Sequence, residues 1–155
     1  MITFIQNLEN NTFREVFHIW YLWLVIGVQS EGTGLITVLL EARALQRGGL
    51  GPIVVHCGPR TGRTGTLIAL DLGIRQYEIT GIVDVPRVVY IIRRDRAGSV
   101  QTKEQYAFIY KALNLYSTKF ASGVLESTRV KQKFVEVKIC HNGHHLTKID
   151  CLVSK

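Results

Sequence analysis

The chain has 155 residues, 46% hydrophobic, 20% charged and 9% aromatic, which excludes a disordered, collagen-like or low-complexity polymer and fits one globular domain. A chain of this size buries roughly two thirds of the surface its unfolded state exposes, so its core requires neither disulfides nor a structural metal. Lysine and arginine number 19 against 12 acidic residues, a formal charge of +7 that favours anionic partners. Three widely spaced cysteines, Cys57, Cys140 and Cys151, are too few for a secreted disulfide framework and point to a reducing, cytoplasmic compartment.

Met1 to Phe17 alternates apolar and polar residues loosely (Ile2, Phe4, then Phe13, Val16), which predicts a strand, a turn at Glu9-Asn10-Asn11 and a second strand. That second strand enters the most apolar stretch, Phe17 to Val28 (FHIWYLWLVIGV). The stretch is about half the ~20 residues a spanning helix needs. It contains His18, and no lysine or arginine precedes Arg14 where a signal peptide would want a basic start. A buried strand is therefore the reading, with no membrane partner.

From Ser30 the period changes. Leu35, Val38, Leu39, Ala42 and Leu45 recur at helical spacing, with Ser30 as N-cap and Gly48-Gly49 as stop. Next, Ile53-Val54-Val55 after Gly51-Pro52 reads as a short strand buried on both faces and ending at His56-Cys57. A glycine-rich turn from Gly58 to Gly65 leads into a helix from Thr66. Asp84-Val85-Pro86 opens another, with proline in the first turn where its missing N–H costs nothing. Thr102-Lys103-Glu104-Gln105 fits a capping box before Tyr106, Phe108, Ile109, Ala112 and Leu113. After Ser117 the pattern degrades into a basic tail.

The stretch His56-Cys57-Gly58-Pro59-Arg60-Thr61-Gly62-Arg63-Thr64-Gly65 puts a cysteine at a strand end, six residues before an arginine at a helix start. A loop of this length can curl so that successive backbone N–H groups and the helix N-terminus point at one anion, with Arg63 closing the cradle as a bidentate fork. The same positive end favours the Cys57 thiolate, a nucleophile at neutral pH. Thr64 is placed to donate a hydroxyl hydrogen bond to that sulfur.

These residues resemble the signature of the protein tyrosine phosphatase family: His-Cys, five residues, Arg, then Ser or Thr and Gly. The stretch GPIVVHC is similar to the strand that leads into that loop in the tyrosine-specific branch, and VQTKEQYAFIY (Val100 to Tyr110) to its glutamine-loop segment; Arg93 and Arg96 also fit. The degraded style resembles insect-virus phosphatases of the bracovirus group, which would place the protein in the host-cell cytoplasm. The resemblance implies an α/β fold, a twisted mixed β-sheet flanked by helices and N-terminally truncated. It implies a partial phosphatase domain over residues 1–116 and a basic C-terminal tail over 117–155. It further implies Cys57 as nucleophile, with Gly58, Arg60, Thr61, Gly62 and Arg63 binding phosphate and His56 in support. Gln101 and Gln105 would position the water that hydrolyses the phosphocysteine.

Departures from the family pattern carry as much. FREVFHIWYLWLVIGVQS is similar to the family's strand and Trp-Pro-Asp loop, with Trp23 as the tryptophan, Leu24 at the proline and Val25 at the catalytic aspartate. No aspartate occurs before Asp71, and Glu31 is the one nearby carboxylate after Val25. General-acid catalysis contributes about 10²- to 10⁴-fold, so its loss slows leaving-group departure by about that factor without weakening binding. Pro59 lacks the N–H that a phosphate cradle would use, and Arg60 replaces a family glycine while adding positive charge. The family's phosphotyrosine-recognition loop is not expected in this chain.

The resulting expectation is a pseudophosphatase that binds phosphotyrosine-containing protein, with hydrolysis through a cysteinyl-phosphate intermediate weak or lost because of Val25. One alternative is an active phosphatase using water or Glu31 as surrogate acid. Another is a non-folding gene remnant. No cofactor and no metal are expected, since Cys140, His141, His144, His145 and Cys151 fit no common zinc spacing. No nucleic acid is expected as partner, because no aromatic stripe interleaves the basic residues. An apolar face around Phe17, Trp20, Trp23 and Leu24, if exposed, would call for a partner chain to cover it.

Overall fold

A β-hairpin opens the chain. In the computed structural model, which describes residues 2–22, 32–46, 51–58, 61–121 and, for the backbone, 150–154, β1 (Ile2–Asn7) and β2 (Thr12–Trp20) pair antiparallel. Ile2 lies opposite Phe17 and Asn7 opposite Thr12. Asparagines shape the turn. Asn7 Oδ1 accepts from the Glu9 N–H at 2.9 Å, Asn10 Oδ1 accepts from the Thr12 N–H at 3.2 Å, and Asn11 takes a positive φ of 51°.

The remaining elements are α1 (Thr33–Leu45), β3 (Ile53–Val55), α2 (Gly62–Thr80), α3 (Val85–Asp95), α4 (Lys103–Leu115), a π-helical turn Tyr116–Phe120, and β4 (Asp150–Ser154). The sheet order is β1-β2-β4-β3, and its three ladders are antiparallel. The expected α/β architecture of helices against a sheet is present. The ladders among the described residues are antiparallel rather than mixed because β4, from within the 117–155 tail, inserts between β2 and β3.

The core is built mainly by helices. Leu35 and Ile36 of α1, Leu70 and Ile74 of α2, Val89 and Ile92 of α3, and Phe108 and Ile109 of α4 form one buried cluster. The sheet touches the helices through a smaller cluster, in which Phe17, Ile19, Ile53 and Val55 pack against Ala42 of α1. Phe17 and Ile19 are alternate residues of one strand and so share the face that meets α1.

A polar network ties α1 to α2 and to the π-helical turn. Arg43 Nε donates to Asp71 Oδ1 at 2.8 Å, and Arg43 Nη1 lies 3.3 Å from both Glu78 carboxylate oxygens. Arg75 Nε donates to Asp71 Oδ2 at 2.9 Å, and the Tyr116 hydroxyl donates to Glu78 Oε1 at 2.6 Å.

Several expectations meet the structure directly. Asp84 caps α3, accepting from the Arg87 N–H at 3.0 Å with Pro86 in the first turn, and the Thr102–Gln105 capping box is complete. Others are corrected. The strand over the apolar stretch ends at Trp20 and is only partly buried, with Trp20 69% exposed. β3 is not buried on both faces: Val54 is 47% exposed, since alternation turns it away from the α1 side that Ile53 and Val55 meet. The N-cap of α1 is Gly32, with φ 58°, and its C-cap is Gln46; Ser30, Gly48 and Gly49 lie outside the described residues. α2 begins at Gly62 rather than Thr66, for a reason that belongs to the site.

Candidate active site

His56 and Cys57 follow β3 directly, and Cys57 is buried and outside any disulfide. Gly58 comes next, and the chain re-enters at Thr61, the N-cap of α2. The expectations for Pro59 and Arg60, and those for Trp23, Leu24, Val25 and Glu31, fall outside the described residues. So do those for Cys140, His141, His144, His145 and the side chain of Cys151.

The start of α2 is where tertiary structure overrides local propensity. Glycine weakens a helix by about 1 kcal/mol relative to alanine, which is why Gly62 and Gly65 read as loop in the sequence. Here both allow close approach. A Cβ on Gly62 would lie 2.6 Å from Gln105 Oε1 and 2.9 Å from Gln101 Cβ, and a Cβ on Gly65 would lie 2.7 Å from the Val100 nitrogen. The first helical bond, from the Gly65 N–H to the Thr61 carbonyl, is 2.9 Å. Residues 62–65 are therefore the first turn of α2, packed against the segment leading into α4, and Arg63 stands in that turn.

This helix end keeps its electropositive character. Four N–H groups at a helix start have no partner within the helix. The Thr61 side chain accepts from none of them; its hydroxyl is turned toward the Gly98 carbonyl, to which it donates at 2.9 Å. No carboxylate occupies the first turn of α2. An uncapped, acid-free N-terminus with an arginine in its first turn, following a buried cysteine, suits a doubly charged anion such as a phosphate ester.

The glutamine segment is the other half of the arrangement. Gln105 Oε1 accepts from the Gln101 N–H at 2.7 Å and from the Thr102 N–H at 3.3 Å. The carbonyl of Gln105 is thus spent on holding the backbone. Gln101 is exposed, with its Cβ against Gly62, one residue from Arg63. The structure so brings Thr61, Gly62, Arg63, Gln101 and Gln105 together, residues that are about forty positions apart in sequence.

The family model for protein-tyrosine phosphatase matches residues 2–115. The chain belongs to the protein-tyrosine phosphatase family. Among curated relatives of this phosphatase domain, human receptor-type tyrosine-protein phosphatase R is 36% identical over 116 residues, covering 73% of this chain and 18% of that protein. Human receptor-type tyrosine-protein phosphatase alpha is 36% identical over 120 residues, covering 76% and 15%. Tyrosine-protein phosphatase non-receptor type 9 of Rattus norvegicus is 41% identical over 123 residues, covering 70% and 21%. The chain spans about a fifth or less of the length of these relatives.

Sequence reasoning missed three features of the site: the Thr61–Gly98 bond, the left-handed backbone of Val100 (φ 57°), and the contacts of Arg93 with the segment before Gln101. Valine gives no local signal of a positive φ, since branching at Cβ disfavours it. Among the described residues no cluster of three His, Cys, Asp or Glu side chains is placed to hold a metal. No described helix is long and apolar enough to cross a membrane.

Proposed function

We propose that the domain binds the phosphorylated side chain of a phosphotyrosine protein at the start of α2, with Cys57 as nucleophile and hydrolysis limited by the missing general acid. The observation that carries this reading is the contact of the α2 first turn, bearing Arg63, with the Gln101–Gln105 segment. In the first half-reaction Cys57 Sγ bonds to phosphorus while the ester P–O bond breaks, releasing phenolate that takes its proton from water. In the second, a water oriented by Gln101 bonds to phosphorus, the P–S bond breaks, and Cys57 leaves as thiolate. Gln105 serves by holding the Gln101 backbone. With Val25 at the acid position, esters of acidic phenols turn over and phosphotyrosine, a poorer leaving group, is retained. The protein acts in the cytoplasm on this reading, and the exposed hairpin side chains Phe4 and Phe13 (69% and 63% exposed) form an apolar face for a partner chain.

The test is phosphate release from an aryl phosphate and from a phosphotyrosine peptide, for the parent, Cys57→Ser and Val25→Asp. Peptide binding without turnover by the parent, with turnover gained in Val25→Asp, is the expected result. Equal turnover of both substrates by the parent, lost in Cys57→Ser, would replace the trap with a complete enzyme. Failure of the parent and both variants to bind the peptide would overturn the phosphate-site reading.

A further inference from the structure

Val100 is fully buried and has φ of 57°, a conformation a β-branched residue holds only when its surroundings impose it. Two neighbours do so. On one side lies the first turn of α2, where Gly65 alone leaves room for the Val100 nitrogen. On the other lies Arg93, in the last turn of α3. Its Nε donates to the Ser99 carbonyl at 2.9 Å and its Nη2 to the Val100 carbonyl at 2.7 Å.

The Val100 carbonyl and the Gln101 N–H belong to one peptide unit. Arg93 holds its oxygen at 2.7 Å, and Gln105 Oε1 accepts from its N–H, also at 2.7 Å. The plane is planar and rigid, so pinning both ends sets the direction in which the Gln101 side chain leaves the backbone. A planar guanidinium can grip two successive carbonyls at once, which a lysine ammonium cannot reproduce in the same geometry.

We propose that Arg93 is a positioning residue for Gln101, orienting the Val100–Gln101 peptide so that the Gln101 amide faces the start of α2. This rests on the reading above, in which Gln101 orients the water that breaks the P–S bond. Arg93 accordingly acts on the second half-reaction and leaves the attack of Cys57 untouched.

The experiment is rapid-mixing hydrolysis of an aryl phosphate with an acidic phenol by the parent, Arg93→Lys, Arg93→Ala, Gln101→Ala and the double variant of Arg93→Ala with Gln101→Ala. The initial burst of phenolate reports formation of phosphocysteine, and the steady rate reports its breakdown. The expected result is an unchanged burst rate and a steady rate lowered about tenfold or more in both Arg93 variants, within the ~10²-fold that a misplacement of about 1 Å costs. Arg93→Ala should add nothing in the Gln101→Ala background. Equal loss in both phases, or additive loss in the double variant, would overturn the proposal. Arg93→Lys keeps the charge and serves where Arg93→Ala does not fold. Absence of any burst in the parent would fail the phosphatase reading instead, and amide hydrogen exchange then decides. Faster exchange confined to Gln101 and Thr102 in Arg93→Lys would uphold the positioning role; unchanged protection there would overturn it.

Discussion

Gly65 and Val100 meet backbone to backbone where the first turn of α2 crosses the segment leading into α4, and a Cβ on Gly65 would lie 2.7 Å from the Val100 nitrogen. The Ser99 Cα would lie 2.9 Å from the same Cβ, so the obstacle is main chain and cannot swing aside. Gly65→Ala gains about 1 kcal/mol of helix propensity and loses about 1–3 kcal/mol to overpacking. The expected outcome is net destabilisation, read as a lower urea midpoint at unchanged slope. A raised midpoint would show that the two segments separate easily.

Arg43 is the hub between α1 and α2. Its side chain is 20% exposed, those of Asp71 and Glu78 are 18% and 12% exposed, and it contacts both carboxylates. Removing one partner of a fully buried pair costs about 3–5 kcal/mol, and exposed pairs are worth about 0–1. Partial exposure puts Arg43→Met between them, at about 2 kcal/mol of lost stability by chemical denaturation. A change within the surface range would mean that solvent already screens the network.

Tyr116 carries a pH dependence. Burial, with the hydrogen bond to Glu78 second, pushes its phenol well above the usual tyrosine value. The folded state therefore keeps a proton that the unfolded chain releases near pH ~10. The stabilisation is fully present below about pH 10 and is lost as pH rises from there toward the folded value. In Tyr116→Phe the fall in stability above about pH 10 should be shallower than in the parent. Parallel stability curves for the two proteins over that range would refute the assignment.

The hairpin exposes several apolar side chains, Ile2, Phe4, Ile5, Leu8 and Phe13 among them. Exposed Phe4 lies opposite the half-buried Glu15, and β1 carries no charged residue along Ile2–Asn7. An uncharged strand at the edge of the described sheet is a template for association. Phe4→Lys places a cation opposite Glu15 and interrupts that edge, so concentration-dependent light scattering should fall while the unfolding free energy stays within about 0.5 kcal/mol of the parent. Undiminished scattering would locate the association elsewhere.

Sequence by itself determined the elements whose causes are local. The Asn-rich turn, the Asp84 cap with Pro86 in the first turn, and the Thr102–Gln105 capping box are interactions between residues at most four apart, and each is found. The run from His56 to Gly65 likewise carried the resemblance to the phosphatase family, and the family match over residues 2–115 agrees on the family. Tertiary structure alone decided where α2 begins, how deeply β3 is buried, and what shapes the backbone before Gln101. Gly62 and Gly65 are poor helix residues in isolation, and Val100 is a poor left-handed one; the glycines meet surfaces more than thirty positions away, Gln105 for the first and Ser99 and Val100 for the second, and Val100 is held by Arg93, seven positions earlier on another element. Propensities of about 1 kcal/mol per residue yield to such contacts, because packing and charge-assisted hydrogen bonds at one site together exceed them.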